Sequence, residues 1–454
     1  MKVLSKVHEL RWLAWLILNL NLNYVFSSYT SLAAVQTRLQ TTYVQAQLQP
    51  QEDRSRPVVE SKSSAAFESF DRLIPQLMAK WNLPGGAIAI TKEKRLVFAA
   101  AYGLADKETG QPVQPDSLFR IASVSKPITA VAILRLIEEG KLDLETRAFQ
   151  FLDHLQPPPK AKIDPRVQQI SIRQLLYHSG GWDQEKSFDP MGHFREAATS
   201  LNVPLPVSAE TIIRYMLGRS LDFDPGTRHA YSNFGYCVLG RVVEKASGQS
   251  YQGYVNEHVL RPAGITRMRI GHTLSEQRYQ GEVCYYSAQG LSRVPSALSS
   301  RGERVPIQYG GYYLEAMDSH GGWIASAIDL VRFLAAIDGR NGDPGLLRPE
   351  TIDLMLARPA PPLWVGTPVY YGMGWNVRPL KKGVVWYHTG ALAGSSLALI
   401  VRTPKGLSWA VLFNSIPPSI SEVAPFFVEL DRAIGQAIEQ VSAWPAHDLF
   451  SQYR

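Results

Sequence analysis

Residues 119–126 read Phe-Arg-Ile-Ala-Ser-Val-Ser-Lys, and they run directly into the segment Pro-Ile-Thr-Ala-Val-Ala-Ile-Leu-Arg-Leu-Ile at 127–137. The apolar residues of this segment recur at helical spacing and form a broad face suited to burial. Gly140 is a suitable stop beyond the last turn. The stretch predicts a core helix that begins near Ser123, so Ser123 and Lys126 should lie one turn apart on the same side.

That spacing lets the amine of Lys126 reach the hydroxyl of Ser123. A serine hydroxyl is a weak nucleophile until a base accepts its proton. Lysine can be that base where burial or nearby positive charge lowers its pKa from about 10.4. The helix N-terminus adds partial positive charge and a free backbone N–H at the serine. Alone, the pair is a weak signal, because a solvated Ser and Lys can open an ordinary core helix.

The composition limits the classes of protein to which this chain can belong. The chain has 454 residues, of which 45% are hydrophobic, enough for one large domain or two with a packed core. The formal net charge is +7, but the basic residues are scattered, which favours anionic surfaces such as a cell envelope over nucleic acid. Cys237 and Cys284 belong to no zinc-type cluster. They are expected as two buried free thiols, with one disulfide as the alternative.

The first 33 residues predict a secretory signal peptide. A basic start is followed by an apolar run at 12–18 and by small-residue cleavage candidates around Ala33. Asparagines at 19, 21 and 23 interrupt the run, so an uncleaved membrane anchor is the alternative. We therefore expect a secreted or periplasmic protein.

The rest of the chain predicts one folded domain. Residues 34–62 are rich in Gln, Thr, Ser and charge, which is typical of a disordered linker. The domain is expected over 63–442, and a tail over 443–454. No later segment is long and apolar enough to span a bilayer.

Strand patterns lie near both ends of this domain, and helical patterns lie between them. Strands are predicted at 87–90, 96–102, 370–377, 383–387, 396–401 and 407–413. Helices are predicted at 64–81, 209–217, 234–247, 251–260, 329–334 and 421–441, with a loop-rich insertion at 191–207. Residues 170–181 are predicted to form a short helix that ends in a glycine turn. The order predicts an α+β fold: an antiparallel sheet built from both chain ends, flanked by helices, with a mostly helical inserted subdomain.

A second candidate motif is Tyr231-Ser232-Asn233, on a loop that enters a predicted helix. The phenol can relay a proton, and the carboxamide can bind a substrate carbonyl. A buried core tyrosine beside an N-cap asparagine is the alternative. The same spacing at Tyr254 and Asn256 falls inside a predicted helix, where positions two apart face different sides.

A third candidate motif is His388-Thr389-Gly390, at the end of the strand predicted over 383–387. A cation-capable side chain, a hydroxyl and a glycine on a strand edge suit an extended substrate. The glycine lets backbone approach closely, and the next N–H, of Ala391, can face an oxyanion. The alternative is a hydrogen-bonded histidine at a strand end, while His178 closes a helix and is interpreted as part of a structural turn.

In this order and at this wide spacing, the three motifs resemble those of the serine β-lactamase and penicillin-binding-protein superfamily. The tyrosine of the second motif resembles the branch of class C β-lactamases, DD-peptidases and family VIII esterases. The resemblance covers residues 64–441 and implies a β-lactamase/transpeptidase-like fold.

The resemblance also implies roles. Ser123 attacks a carbonyl carbon and forms an acyl-enzyme, while Lys126 and Tyr231 share the general-base and general-acid steps. Asn233 binds an amide of the substrate's side chain. Water then hydrolyses the acyl-enzyme, and no metal or cofactor is implied.

The third motif carries the remaining implied contacts. The N–H groups of Ser123 and Ala391 form the oxyanion hole, beside Gly390, and His388 and Thr389 contact the substrate's carboxylate or leaving group. Many β-lactamases have lysine where His388 stands, and histidine is only partly charged at neutral pH. This departure favours peptidase or esterase activity over antibiotic hydrolysis.

The function expected from the sequence is therefore an exported serine hydrolase. Its substrates would be esters, D-amino-acid peptides or β-lactam-like amides, and peptidoglycan is a candidate partner. Neither nucleic acid nor a stable protein partner is expected. A catalytically silent envelope-binding protein on the same fold is the alternative.

Overall fold

The computed structural model describes residues 65–287, 293–337 and 345–453. The predicted signal peptide at 1–33 and linker at 34–62 lie outside the described residues. In the part of the chain that is described, no helix has the length and apolar character needed to cross a membrane.

Thirteen strands lie within the described residues. They are β1 (Gly85–Lys92), β2 (Arg95–Asp106), β3 (Gln111–Pro112), β4 (Phe119–Arg120), β5 (Arg269–Ile270), β6 (Val294–Pro295), β7 (Arg304–Val305), β8 (Trp323–Ala325), β9 (Tyr370–Tyr371), β10 (Asn376–Pro379), β11 (Val384–Leu392), β12 (Ser396–Arg402) and β13 (Leu407–Phe413). Eight of them form the main sheet, in the order β3-β2-β1-β13-β12-β11-β10-β9. A three-stranded sheet, β4-β8-β5, lies beside it.

The same described ranges contain eleven α-helices. They are α1 (Glu68–Lys80), α2 (Ser125–Glu138), α3 (Ala148–Phe151), α4 (Ile172–Leu176), α5 (Phe194–Leu201), α6 (Ala209–Leu217), α7 (Asn233–Ser247), α8 (Tyr251–Val255), α9 (Ala327–Ile337), α10 (Pro349–Leu356) and α11 (Val423–Glu439). Short 3₁₀ turns and one π turn, Asn256–Leu260, connect several of them.

The main sheet joins the two ends of the domain, as predicted. Strand β1 pairs antiparallel with β13, with Ala87 opposite Leu412. Successive side chains of a strand point to opposite faces, so Ala87 and Ala89 enter the core shared with the helical region. Ile88 and Ile90 enter a second core formed with the terminal helices α1 and α11. Burial on both faces explains why these strands are continuous apolar runs instead of alternating patterns.

The structure corrects several boundaries. The loop-rich insertion predicted at 191–207 contains α5, and α10 was not predicted. The strand predicted over 370–377 is split into β9 and β10 by a turn at Gly374, whose φ is +85°. A Cβ there would lie 2.5 Å from the Cβ of Ala130 in α2, so the close contact requires glycine. The strand predicted over 383–387 continues to Leu392, so the third motif lies within β11.

Two other expectations concern the tail and the cysteines. The described residues of the tail pack on the domain: Asp448 accepts a hydrogen bond from the Leu96 N–H (3.0 Å). Arg332 donates to the carbonyl oxygen of Tyr453 (2.8 Å). Cys237 and Cys284 are both free thiols, as expected, although Cys284 is only half-buried.

Candidate active site

Ser123 lies in a 3₁₀ turn, Ala122–Val124, that leads from β4 into α2. The helix itself begins at Ser125, two residues later than the sequence predicts. Within 117–134, every residue is buried except Ser123. Ala122 has φ +48°, a conformation that an alanine adopts only where its surroundings hold it. The turn therefore presents one hydroxyl at the surface of an otherwise closed core.

Arg120, three residues before Ser123, holds this turn in place. Its guanidinium is fully buried and donates to the carbonyl oxygens of Gln308 (2.6 Å) and His272 (2.8 Å). It also lies over the ring of Tyr285, 4.3 Å from the centroid. A buried cation is costly unless hydrogen bonds and aromatic faces replace its hydration. These contacts tie the strand before Ser123 to distant loops.

The amine of Lys126 is fully buried and has three polar neighbours. Its Nζ lies 3.0 Å from Ser123 Oγ, 2.8 Å from Asn233 Oδ1 and 3.0 Å from the carbonyl oxygen of His320. Burial lowers the pKa of Lys126 well below its usual value, and the charge of Asp189 partly opposes this shift.

The neighbours of Lys126 Nζ determine which hydrogen bonds a neutral amine would make there. A carbonyl oxygen can only accept, so Asn233 Oδ1 and the His320 oxygen take the two N–H bonds of a neutral amine. Its lone pair is then left facing Ser123 Oγ. In this state the serine hydroxyl donates to the lysine, which is the geometry of a nucleophile and its general base.

Tyr231 covers the lysine. Its ring centroid lies 4.7 Å from Lys126 Nζ. Burial raises the pKa of the phenol, while a hydrogen bond with Ser123 acts in the opposite direction. The phenol is therefore protonated and adjacent to the serine, a position from which it can donate or relay a proton.

His178 supports the tyrosine, although the sequence indicated only a structural turn there. Its carbonyl oxygen accepts from the N–H of Ala230 (2.8 Å), and its Nδ1 accepts from the N–H of Ser232 (3.1 Å). The imidazole packs on the ring of Tyr231, with centroids 4.3 Å apart. Burial lowers the pKa of His178 well below its usual value, so this support is uncharged.

Asn233 is the first residue of α7, and its side chain does not cap the helix. That task falls to Ser232, whose hydroxyl accepts from the N–H of Gly235 (3.1 Å). The carboxamide of Asn233 is thus free to enter the site, where Oδ1 accepts from Lys126 and Nδ2 donates to Asp189 Oδ2 (2.7 Å). The second Tyr-x-Asn pair lies elsewhere: the hydroxyl of Tyr254 donates to Glu139.

His388 is buried within β11, at 2% exposure, and both of its ring nitrogens have partners. Nδ1 lies 2.7 Å from the carbonyl oxygen of Thr389, and Nε2 lies 3.0 Å from the hydroxyl of Tyr371. Because the carbonyl can only accept, we assign the ring proton to Nδ1, and Nε2 then accepts from the phenol. Burial, with the charge of Lys126, lowers the pKa of His388 to about 3. The imidazole is therefore neutral.

The rest of the third motif lies against the serine turn. Strand β11 packs on the turn, and Gly390 faces the carbonyl oxygen of Ile121. Thr389 and Ala391 are partly exposed, while His388 and Gly390 are buried. The structure thus brings the residues of all three motifs together at one junction between the sheet and the helical region.

Comparisons with known proteins place the chain in a family. The family model described as Beta-lactamase matches residues 70–430. The chain belongs to the beta-lactamase family. This agrees with the resemblance inferred from the three motifs.

Individual members of the beta-lactamase family are similar to this chain over different lengths. The probable fimbrial assembly protein FimD of Dichelobacter nodosus, serogroup H1, is 31% identical over 243 residues, 53% of this chain and 54% of that protein. The chain thus spans about half the length of this relative. Esterase EstB of Burkholderia gladioli is 31% identical over 306 residues, 62% of this chain and 72% of the esterase.

A solved structure confirms the fold class of this beta-lactamase-family chain. The octameric penicillin-binding protein homologue from Pyrococcus abyssi is 26% identical, with a TM-score of 0.59. The match covers 80% of this chain and 77% of the homologue.

Two polar groups of the site in this beta-lactamase-family protein were not found from the sequence. The backbone oxygen of His320 cannot be predicted from side-chain patterns. Asp189 lies just before the insertion predicted at 191–207, and no role was predicted for it. The one local signal is Asp189-Pro190, typical of a residue that caps a short turn, and the structure shows Asp189 Oδ1 accepting from the N–H of Met191 (3.0 Å).

Proposed function

We propose that this protein is a serine hydrolase that cleaves ester or amide bonds through an acyl-enzyme on Ser123. The arrangement around Lys126 carries the proposal. A buried amine with a lowered pKa, two carbonyl acceptors and one serine hydroxyl as neighbours is suited to general-base catalysis. The similarity of this chain to an esterase supports the proposed reaction class.

In the acylation step, Ser123 Oγ forms a bond to the substrate carbonyl carbon as its proton passes to Lys126 Nζ. The carbonyl π electrons move to oxygen, where the N–H groups of Ser123 and Ala391 would stabilise the negative charge. When the carbonyl re-forms, the bond to the leaving group breaks. Lys126 or Tyr231 returns the proton to the departing oxygen or nitrogen.

Deacylation repeats these steps with water. A water molecule gives its proton to Lys126, directly or by relay through the Tyr231 hydroxyl, as its oxygen attacks the acyl carbon. Ser123 Oγ then leaves and recovers a proton, which restores the free enzyme. Asn233 keeps one Nδ2 hydrogen for the substrate, because its other amide groups are engaged by Lys126 and Asp189.

The third motif favours substrates without a carboxylate beside the scissile bond. The resemblance implies that His388 contacts such a carboxylate, but its ring is neutral and both nitrogens are engaged within the protein. A neutral imidazole provides no fixed cation to pair with a carboxylate. We therefore assign His388 to support of the site, and esters and uncharged amides are favoured over β-lactams.

Export and a cell-envelope setting belong to the same proposal. The basic start and apolar run of the first 33 residues support a signal peptide. The positive net charge suits an anionic envelope, where peptides and esters of the cell wall would be accessible substrates.

Labelling with a fluorophosphonate probe tests the proposal. We expect one probe molecule per chain, located by peptide mass spectrometry on Ser123 and abolished in Ser123→Ala. Ser187→Ala removes a serine hydroxyl from an exposed loop and should label normally. The same proteins are then compared on p-nitrophenyl butyrate, D-alanine p-nitroanilide and nitrocefin, with nitrocefin expected to be the slowest. A well-folded protein that neither labels nor hydrolyses any of them would be a silent binding protein instead.

A further inference from the structure

Asp189 stands at the end of a hydrogen-bonded chain that begins at the nucleophile. Ser123 Oγ contacts Lys126 Nζ, Lys126 contacts Asn233 Oδ1, and Asn233 Nδ2 donates to Asp189 Oδ2 at 2.7 Å. The first and second motifs account for the first three members. The carboxyl group at the far end belongs to none of them.

The carboxamide in the middle of this chain has two orientations of nearly the same shape. With Oδ1 toward Lys126, the amide accepts a lysine N–H, and the lone pair of a neutral lysine faces Ser123. If the amide is flipped, its NH₂ group faces the lysine instead. The lysine lone pair would then be drawn toward Asn233 and away from the serine. Catalysis by Lys126 therefore depends on which way the amide of Asn233 is held.

A carboxylate decides this orientation because it can only accept. Asp189 Oδ1 accepts from the N–H of Met191 (3.0 Å), and Oδ2 accepts from Asn233 Nδ2. Burial raises the pKa of Asp189 above its usual value, partly offset by these two N–H donors and by the charge of Lys126. Because each oxygen faces an N–H donor, the geometry is that of a carboxylate that accepts two hydrogen bonds. An ionised carboxylate would meet the oxygen of a flipped amide with repulsion.

The position of Asp189 is itself fixed by the chain around it. It caps the 3₁₀ turn Pro190–Gly192, and its backbone oxygen lies 3.0 Å from Nδ1 of His193. Met191, which supplies the N–H, is buried. The carboxylate therefore keeps one oxygen on its own turn and directs the other to Asn233.

We propose that Asp189 is a positioning residue that holds the amide of Asn233 with its oxygen toward Lys126, and thereby directs the lysine lone pair to Ser123. The inference rests on the proposed serine hydrolase function. It adds a third residue to the nucleophile and its base. A carboxylate orients the catalytic histidine of a Ser-His-Asp triad in a similar way.

The ionisable neighbours of Lys126 determine how a change at Asp189 would be seen. They come from the loops, from α7 and from β11: Tyr231, Tyr236, His178, His320, His388 and Asp189. Burial keeps the phenols protonated and the three imidazoles neutral. Asp189 is the one carboxyl group among these six.

Asp189→Asn is the direct test. The new amide must keep its oxygen on the N–H of Met191, so its NH₂ group faces Asn233 and forces that amide to flip. We expect kcat/KM for a p-nitrophenyl ester to fall tenfold to a thousandfold, in order of magnitude. The acidic limb of the pH profile of kcat/KM should move to lower pH, because a negative charge near Lys126 has been removed. Asp183→Asn, which removes a carboxylate paired with Arg228, should leave that limb in place.

The exchange Asp189→Asn with Asn233→Asp gives a second, independent reading. In that double variant the new amide at position 189 again accepts from Met191 and donates to position 233, where the new carboxylate can only accept from Lys126. The required polarity is restored, so the exchanged pair should be more active than Asp189→Asn alone, with its acidic limb at higher pH than the wild type. Urea unfolding of each variant checks that it folds.

The outcomes separate the two proposals. If the wild type neither labels at Ser123 nor turns over ester, the serine hydrolase function fails. If the wild type is active but Asp189→Asn matches it in rate and acidic limb, the positioning role is overturned. It is equally overturned if the exchanged pair is no more active than the single variant.

Discussion

The α-carbon of Gly390 faces the carbonyl oxygen of Ile121 so closely that a side-chain carbon at 390 would lie far inside van der Waals contact. Strand β11 can therefore approach the serine turn only with glycine at this position. The same contact joins the serine turn to the strand that carries Ala391, whose N–H is the proposed oxyanion donor. The absence of a side chain at Gly390 thus links the packing of β11 to the position of the proposed oxyanion hole.

Gly390→Ala should separate the strand from the turn. We expect a loss of about 1–3 kcal/mol in the free energy of unfolding, as for other overpacked sites, and slower fluorophosphonate labelling of Ser123. Urea unfolding and labelling rates measure the two effects. Gly435→Ala is the matched control, because a Cβ there meets no atom within 4 Å and alanine favours the helix. Equal stability and labelling in both variants would contradict the coupling.

Replacing Lys126 with arginine tests the general base directly. Arginine keeps a positive charge but cannot lose its proton at ordinary pH, so it cannot accept the proton of Ser123. We expect Lys126→Arg to lower kcat/KM for esters at least about a thousandfold. Lys245→Arg, in a surface ion pair with Asp153, should keep wild-type activity. Substantial ester turnover by Lys126→Arg at pH 7 would show that another group serves as the base.

The sequence was sufficient for the parts of the fold and site that depend on local pattern. The alternation of helical and strand segments was enough to predict an α+β fold. The spacing of Ser123 and Lys126 was enough to predict that their side chains meet before a core helix. The end of a strand is harder to predict where both faces are buried. Residues 388–392 continue β11 because β12 pairs with them across the sheet, a long-range contact that periodicity does not reveal.

The supporting groups of the site could not be predicted for a similar reason. Tyr371 contacts His178, Tyr231 and His388 only after distant segments of the chain fold together. Asp189 is linked to the site by one hydrogen bond, from the amide of Asn233, which lies 44 residues away in the sequence. Such contacts leave no spacing rule in one sequence, whereas a pair on adjacent helical turns does.

Tyr371→Phe tests whether the support of His388 matters for turnover. The variant removes the hydroxyl that donates to Nε2 and leaves a buried acceptor unpaired, at a cost of about 1–3 kcal/mol in folding free energy. Because His388 lies in the strand that also carries Ala391, the proposed oxyanion donor, we expect kcat for esters to fall as well. The neighbouring variant Tyr370→Phe loses a buried hydrogen bond to Leu356 but touches none of these groups. It should lose stability and keep its kcat, and equal kcat values in both variants would contradict the role of Tyr371.

The buried neutral imidazole of His388 also predicts how stability depends on pH. The pKa of His388 is about 3 in the folded protein and about 6.5 in an unfolded chain. Between these values the unfolded chain binds one more proton than the folded protein, so the free energy of unfolding rises with pH. The stabilisation is fully present above pH 6.5 and is lost, at up to about 1.4 kcal/mol per pH unit for this group, as pH falls toward 3.

His178 and His320 shift in the same direction, since burial lowers the pKa of each well below its usual value. Urea unfolding between pH 7 and pH 5 should therefore show a steep loss of stability on acidification. His388→Gln should reduce that slope by the contribution of one histidine, because glutamine does not titrate. Ile434→Val, a core change without a titrating group, should lower stability at every pH and leave the slope unchanged. A slope in His388→Gln as steep as in Ile434→Val would mean that the imidazole takes up its proton in the folded protein, and with it a charge available to bind a carboxylate.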